Sequence, residues 1–211
     1  RDRLTVLVIT HKDYEFPDSA CYCPLFVGGK AISDLKNERF YQDSVGANIA
    51  EKNSSFCELT GLYWAWQNGI FKNNQYVGLV HYRRYFAGKK LCLKKQHIAS
   101  ERELLSLLEK YEAILPKKRN YFIESIYSHY QHAHYVKDLN CTREIISELH
   151  PEYITSFDAI MQGRKIHIYN MFVMSSETAS EYCQWLFPIL FELEKRIDIT
   201  QYDNYLSLIH I

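Results

Sequence analysis

The stretch Gly78-Leu79-Val80-His81-Tyr82-Arg83-Arg84-Tyr85-Phe86 decides how this chain is read. An apolar strand, residues 76–82, runs straight into a histidine, two arginines and two tyrosines. Runs of this kind are buried strands, and open α/β sheets place their ligands outside the carboxyl ends of such strands. A guanidinium fork matches phosphate oxygens, so the strand end reads as an anion site, for a phosphate or diphosphate. Neighbours on a strand point to opposite faces, so one of Arg83 and Arg84 is expected to meet the anion and the other to brace the fold.

Working outward, residues 4–10 form a second continuous apolar run that stops at Thr10-His11-Lys12-Asp13, as a first central strand would. The segment through Pro17, Pro24, Gly28, Gly29 and Gly46 is rich in breakers and predicts mostly loop, with a short helix or strand inside. Ser55-Phe56-Cys57-Glu58 has the spacing of a capping box ahead of Leu59, Leu62, Tyr63 and Trp66, and Asn68-Gly69 closes that helix. A second box, Ser100-Glu101-Arg102-Glu103, opens a helix through Leu104, Leu107 and Leu108. Residues 113–115 read as a short strand cut by Pro116, 142–149 and 152–161 as helices, 166–174 as a strand and 177–197 as a helix. Residues 120–138 are the least regular part, aromatic and rich in histidine.

Strands alternating with helices at this spacing predict an α/β fold: a mostly parallel central sheet with helices on both faces. At 211 residues the chain fills one such core, so a single domain is expected. Neither Gly-x-Gly-x-x-Gly nor a Walker lysine loop occurs, which sets aside ordinary dinucleotide and P-loop readings and leaves a nucleotide-sugar fold. Lysine plus arginine (25) balance aspartate plus glutamate (25), so no overall basic field draws in nucleic acid or an anionic membrane, and anion recognition has to be local.

No run approaches the roughly 20 apolar residues of a membrane span, and Arg1-Asp2-Arg3 does not open a signal peptide. A cytosolic protein is expected, with at most a peripheral association with the membrane, through partner enzymes. The six cysteines lack any Cys-x-x-Cys pair and read as reduced, mostly buried thiols. Trp64, Trp66 and Trp185 fall at apolar helical spacing and read as core.

Thr10-His11-Lys12, Gly46-Ala47-Asn48-Ile49, Cys57-Glu58-Leu59-Thr60-Gly61-Leu62-Tyr63-Trp64-Ala65-Trp66 and residues 78–86 together resemble the DUF4422 family. Leu115-Pro116-Lys117-Lys118-Arg119-Asn120, His129-Tyr130 with His134, Asp138-Leu139, Asn170-Met171-Phe172-Val173 and Tyr182-Cys183 with Trp185-Leu186-Phe187 extend the likeness over residues 5–205. The resemblance implies a bacterial capsular, O-antigen or exopolysaccharide glycosyltransferase domain, GT-A-like and Rossmann-like. The implied donor is a UDP-sugar, UDP-galactofuranose in particular, the acceptor a glycan on a lipid carrier, and the stereochemical outcome inversion. Members of the family continue beyond residues 202–205 into an Arg, a Gly and a Glu-Arg-Leu helix, whereas this sequence reads Leu206-Ser207-Leu208-Ile209-His210-Ile211. The expectation is a domain over residues 1–205, truncated at its C-terminus.

Glycosyl transfer needs the charge on a departing diphosphate stabilised and, for inversion, a base for the acceptor hydroxyl. Asp-x-Asp, the usual metal clamp of GT-A enzymes, is absent, so a role for Mn²⁺ or Mg²⁺ stays open. Donor binding is therefore assigned to Thr10, His11 and Lys12 after the first strand, to Asp43 and Asn48 in a glycine-containing loop suited to uracil or ribose, and to His81, Arg83 and Arg84. Glu58 reads first as a helix cap. In the histidine-rich part, Asp138 and His134 are the base candidates, while His129 and Asn170 are assigned to the acceptor. Two other readings stand beside this one: a glycan-binding or scaffolding module without catalysis, and metal-assisted hydrolysis by the histidine cluster.

Overall fold

The computed structural model describes residues 2–29 and 40–198. The atypical end expected at 206–211 lies outside them. Along the chain the strands and helices are β1 (Asp2–Thr10), β2 (Tyr22–Phe26), β3 (Tyr41–Gln42), α1 (Asn53–Phe56), α2 (Leu59–Gln67), α3 (Ile70–Asn73) and β4 (Asn74–His81). There follow β5 (Ala87–Leu93), β6 (Gln96–Ile98), α4 (Glu101–Leu108), β7 (Ala113–Ile114), β8 (Arg119–Asn120), α5 (Ile126–Ala133), α6 (Val136–Leu149) and α7 (Ile154–Gln162). The last are β9 (Lys165–Ile166), β10 (Phe172–Ser175) and α8 (Ser176–Arg196). Two compact units result, Arg1–Pro116 with Tyr169–Cys183, and Lys117–Ile168 with Gln184–Ile211.

Among the described residues of the first unit, six strands form one sheet in the order β3-β2-β1-β4-β10-β7. β3, β2, β1 and β4 run parallel, and β10 lies antiparallel to β4 and to β7. Alternation along β1 serves two faces. Leu4, Val6 and Val8 join Val80, Val173, Leu104 and Leu108 of α4, and Leu93 and Ile98 of the β5/β6 ribbon, in one buried cluster. On the other face α2 comes so close that a Cβ at Gly61 would stand 2.8 Å from Ile9, 2.9 Å from Leu25 and 3.0 Å from Val27. Leucine, valine and isoleucine on both sides explain why the run reads as unbroken hydrophobicity. Gly78 answers a similar demand within the sheet, where a Cβ would meet Val173 at 3.0 Å and Val6 at 3.2 Å.

In the second unit α5, α6 and α7 pack with the β8/β9 ribbon, burying Ile126, Tyr130, Leu139, Ile145 and Ile146. A bidentate pair, Arg143 to Asp158 at 2.7 Å for both bonds, joins α6 to α7. Arg196 likewise grips Glu148 through two bonds, 3.0 and 2.6 Å. No helix of the described residues is long and apolar enough to cross a membrane.

The Ser100 box forms as read, its hydroxyl accepting from the Glu103 amide while the Glu103 carboxylate accepts from the Ser100 amide. The Ser55 box does not. Cys57, at φ 46°, breaks the segment into α1 and α2, and Ser55 Oγ donates to the Lys52 carbonyl instead. The strand expected at 166–174 is also cut, into β9 and β10, because Tyr169 (φ 83°) and Asn170 (φ 48°) take left-handed backbone between them. Of the six thiols only Cys21 and Cys183 are buried, with Cys92 exposed and the other three half-buried, so the expectation of mostly buried thiols is corrected. Burial pushes the Cys21 thiol up to about 11 and that of Cys183 up to about 12.

Replacing Gly61 by valine forces a branched side chain into the seam between α2 and the sheet. Overpacking of this kind costs about 1–3 kcal/mol. Urea denaturation of Gly61→Val should show a midpoint lowered accordingly, and an unchanged midpoint would mean that the seam is looser than the contacts above require.

Candidate active site

The parallel pairing of β1 with β4 matches Ile9 with His81, and the Tyr82 amide donates to the Ile9 carbonyl at 3.0 Å. Thr10, His11 and Lys12 are thereby set beside the end of β4. The Thr10 hydroxyl is buried and shapes this corner, donating to the Lys12 carbonyl (2.6 Å) and accepting from the Lys12 amide (3.3 Å). His11 and Lys12 are left exposed.

β4 does not continue through the arginines. The chain reverses at once, with the Arg84 amide donating to the His81 carbonyl at 2.8 Å and the His81 amide to the Arg84 carbonyl at 3.2 Å. Strand alternation therefore ends before it can send Arg83 and Arg84 to opposite faces, which corrects that expectation. Both are exposed, and both guanidinium groups lie on aromatic rings: Arg83 4.8 Å from the Tyr82 centroid and Arg84 4.5 Å from that of Tyr169. Lys12 Nζ stands 5.6 Å from the Tyr82 ring as well. Among the described residues neither guanidinium meets a carboxylate.

Tyr82 is the platform of this corner. Its buried ring makes T-shaped contacts with those of His11 (5.3 Å) and Tyr14 (5.0 Å), and its hydroxyl finds no hydrogen-bond partner among the described residues. Behind it, burial drives the Tyr85 and Tyr22 phenols far above the usual tyrosine range. These rings are neutral struts at any physiological pH.

On the neighbouring side, His81 Nε2 donates to the Tyr169 carbonyl at 2.7 Å, which requires the proton on that nitrogen. The next residue, Asn170, donates its amide to Glu58 Oε1 at 3.0 Å. Glu58 thus stands at the start of α2 with its carboxylate turned to Asn170 rather than to its own helix. Cys57, Tyr169 and Asn170 carry positive φ at this one place, and non-glycine residues hold such backbone only where the surroundings enforce it. Nearby burial, and the Glu58 charge to a lesser degree, push Tyr182 up to about 12.

Asp43 is 0% exposed, and both its oxygens are occupied: Oδ2 accepts from the Gly28 amide (3.1 Å) and the Thr60 hydroxyl (2.6 Å), Oδ1 from the Gly29 amide (3.3 Å). It braces the loop after β2, where Gly28 and Gly29 both have left-handed φ, rather than facing a nucleotide. Asn48 also works locally, donating to the Gly46 carbonyl at 2.8 Å and accepting from the Ala50 amide at 3.1 Å.

Two histidines of the second unit share one carboxylate, and His134 stands apart from them. His132 Nδ1 lies 3.2 Å and His129 Nδ1 3.8 Å from Glu124 Oε2, and His129 stacks on Tyr121 at 4.0 Å. His134 leans on Tyr130 at 4.8 Å, and Asp138, in the first turn of α6, is 2% exposed. Among the described residues no group of three or more His, Cys, Asp or Glu is gathered as a metal site. Sequence reasoning missed Tyr82 and Tyr169 as platforms, and Glu58 was masked by its capping-box spacing.

Four parallel strands followed by an antiparallel β10 beside β4, with cations collected at the strand ends, define a GT-A-like α/β fold. The chain belongs to the DUF4422 family, described as a domain of unknown function, which it matches over residues 5–209. It is similar to the solved apo structure of WbbM, a bifunctional glycosyltransferase, with a TM-score of 0.85 and 28% identity. That likeness covers 99% of this chain and 40% of WbbM. Among curated proteins none matches.

Asp43→Ala would remove the acceptor of the half-buried Gly28 amide and of the exposed Gly29 amide, and leave the buried Thr60 hydroxyl with its longer bond to the Cys57 carbonyl. A buried group left unsatisfied costs roughly 1–3 kcal/mol, and water reaches the exposed amide, so a loss of about 1–3 kcal/mol is expected. Chemical denaturation checks this, and a loss below about 1 kcal/mol would mean that the loop after β2 does not depend on the carboxylate.

Proposed function

We propose that this chain is a glycosyltransferase domain that takes a sugar, galactofuranose in the favoured reading, from a UDP donor and passes it with inversion to a surface glycan growing on a lipid carrier. The observation that carries the reading is the pair of aromatic-held guanidinium groups of Arg83 and Arg84, joined by Lys12, at the carboxyl ends of β1 and β4. The likeness to WbbM, a bifunctional glycosyltransferase, supports the activity.

In this mechanism Arg83, Arg84 and Lys12 hold the diphosphate, with His11 at the same corner. Charge on the leaving group grows as the glycosidic bond breaks, and donors fixed in advance stabilise it without reorganisation. His81 acts mainly through Tyr169, whose carbonyl it holds, so that the Tyr169 ring stays beneath Arg84. Thr10, Asp43 and Asn48 position their loops and take no direct part. Should Mn²⁺ or Mg²⁺ share the charge, its ligands would come from outside an Asp-x-Asp motif.

The acceptor proton needs a base. Glu58 is our assignment, because Asn170 fixes one of its oxygens and the strained Cys57, Tyr169 and Asn170 converge on it. Asp138 is 2% exposed in the first turn of α6, and His134 and His129 lie against the rings of Tyr130 and Tyr121.

Calorimetric titration with UDP, with and without Mn²⁺, tests the donor site. Arg83→Ala and Arg84→Ala should each weaken binding about tenfold or more, the worth of a charge-assisted hydrogen bond to phosphate. Full-strength binding by both variants would refute the assignment. Binding that Mn²⁺ strengthens would add a metal to the site.

Glu58→Gln keeps an oxygen for Asn170 while removing the base. Turnover of the UDP-sugar should fall by about 10²-fold or more with UDP affinity unchanged. Undiminished turnover would remove Glu58 from the mechanism, and UDP binding without any turnover in the unaltered chain would favour a glycan-binding or scaffolding module.

A further inference from the structure

The second unit carries a feature that sugar transfer does not use. Between β8 and α5 the chain makes a tight turn, Tyr121 to Glu124, that displays Phe122 and Ile123 side by side at 73% and 89% exposure. This tip is held rather than loose. The Phe122 amide donates to Asn120 Oδ1 (3.0 Å), Arg164 Nη1 donates to the Phe122 carbonyl (2.9 Å), and the Tyr121 amide donates to the Arg164 carbonyl (2.9 Å). Phe122 takes φ 56°, which a bulky residue adopts at a cost. Two large apolar side chains are thus fixed outward, against both the hydrophobic effect and backbone preference.

The surroundings are basic. Lys117, Lys118 and Arg119 precede the tip, Arg164 and Lys165 flank it on β9 and the residue before it, and all five are exposed. Within residues 117–125 and 163–167 the one carboxylate is Glu124, and it sits against His129 and His132. The Arg119 guanidinium lies 5.3 Å from the Tyr121 ring, which places cation and aromatic together at the base of the tip.

We propose that this tip is a membrane-surface anchor: Phe122 and Ile123 enter the interfacial region of an anionic bilayer while Lys117, Lys118, Arg119, Arg164 and Lys165 engage the headgroups. Apolar insertion combined with basic attraction is the general mode of peripheral binding to anionic lipid. A protein partner fits less well, since a stable interface needs about 800 Å² from each side and a two-residue tip offers a small part of that. The balanced net charge of the chain is no obstacle, because the attraction is local and falls off within a Debye length of about 8 Å. The inference does not depend on the transferase reading.

The test is co-sedimentation of the whole chain with vesicles of mixed phosphatidylcholine and phosphatidylglycerol, and with vesicles of phosphatidylcholine alone. The unaltered chain should prefer the mixed vesicles and release them in high salt. Phe122→Asn with Ile123→Ser, in which asparagine suits the left-handed backbone, should weaken binding about tenfold or more. Lys117→Gln with Lys118→Gln should weaken it roughly fivefold per charge and reduce the preference for the mixed vesicles by the same factor. An Ile123→Trp variant, at a site too exposed to disturb folding, should shift its fluorescence to shorter wavelength on the mixed vesicles. Failure of the unaltered chain to bind, equal binding by the tip variant, or no shift in the tryptophan variant would each overturn the proposal. So would self-association of the unaltered chain that the tip variant abolishes without any effect on vesicles.

Discussion

Parallel pairing of β1 with β4 is the constraint on which the rest depends. Its register, Leu4 with Tyr76 through Ile9 with His81, brings the corner at Thr10 beside the reversal at Arg83. Both strands are buried on two sides, so slipping by one residue would exchange the side chains packed under α2 with those packed against α4 and lose the close fits at Gly61 and Gly78. The cations at the strand ends are therefore placed by hydrophobic burial several residues away. Their own interactions, on the faces of Tyr82 and Tyr169, set only their orientation.

Around this seam the molecule invests in rigid loops. The buried carboxylate of Asp43 holds two glycine amides and a hydroxyl, His81 holds the Tyr169 carbonyl, and Asn170 holds Glu58. Each contact satisfies a polar group that burial would otherwise penalise. The strained residues Cys57, Tyr169 and Asn170 sit where these contacts converge. Strain is tolerated there because the neighbouring sheet and α2 over-determine the backbone.

Much of the fold was legible in the sequence. The runs at 4–10 and 76–82, the Ser100 box and the long helix after residue 176 are strong local signals, and the structure has them within a few residues. The Ser55 box failed because its spacing is necessary but not sufficient: Cys57 turns left-handed and sends Glu58 to a partner 112 residues away. The strand at 166–174 failed for a similar reason, since apolar composition does not reveal where a chain must bend to run antiparallel to β4. Asp43 read as a ligand group because a carboxylate in a glycine-rich loop looks the same whether it faces solvent or braces the loop from within.

The sequence by itself determined the class of sheet, the order of its strands along the chain and the chemistry available at their ends. Those follow from periodicity, capping and residue type, which are local properties. Only the tertiary structure decided which groups meet: both arginines stacked on tyrosines, Glu58 turned to Asn170, Asp43 enclosed and Phe122 with Ile123 displayed. Such pairings join residues far apart in the chain, and their choice rests on competition between burial and polar satisfaction over the whole fold, which no short stretch of sequence contains.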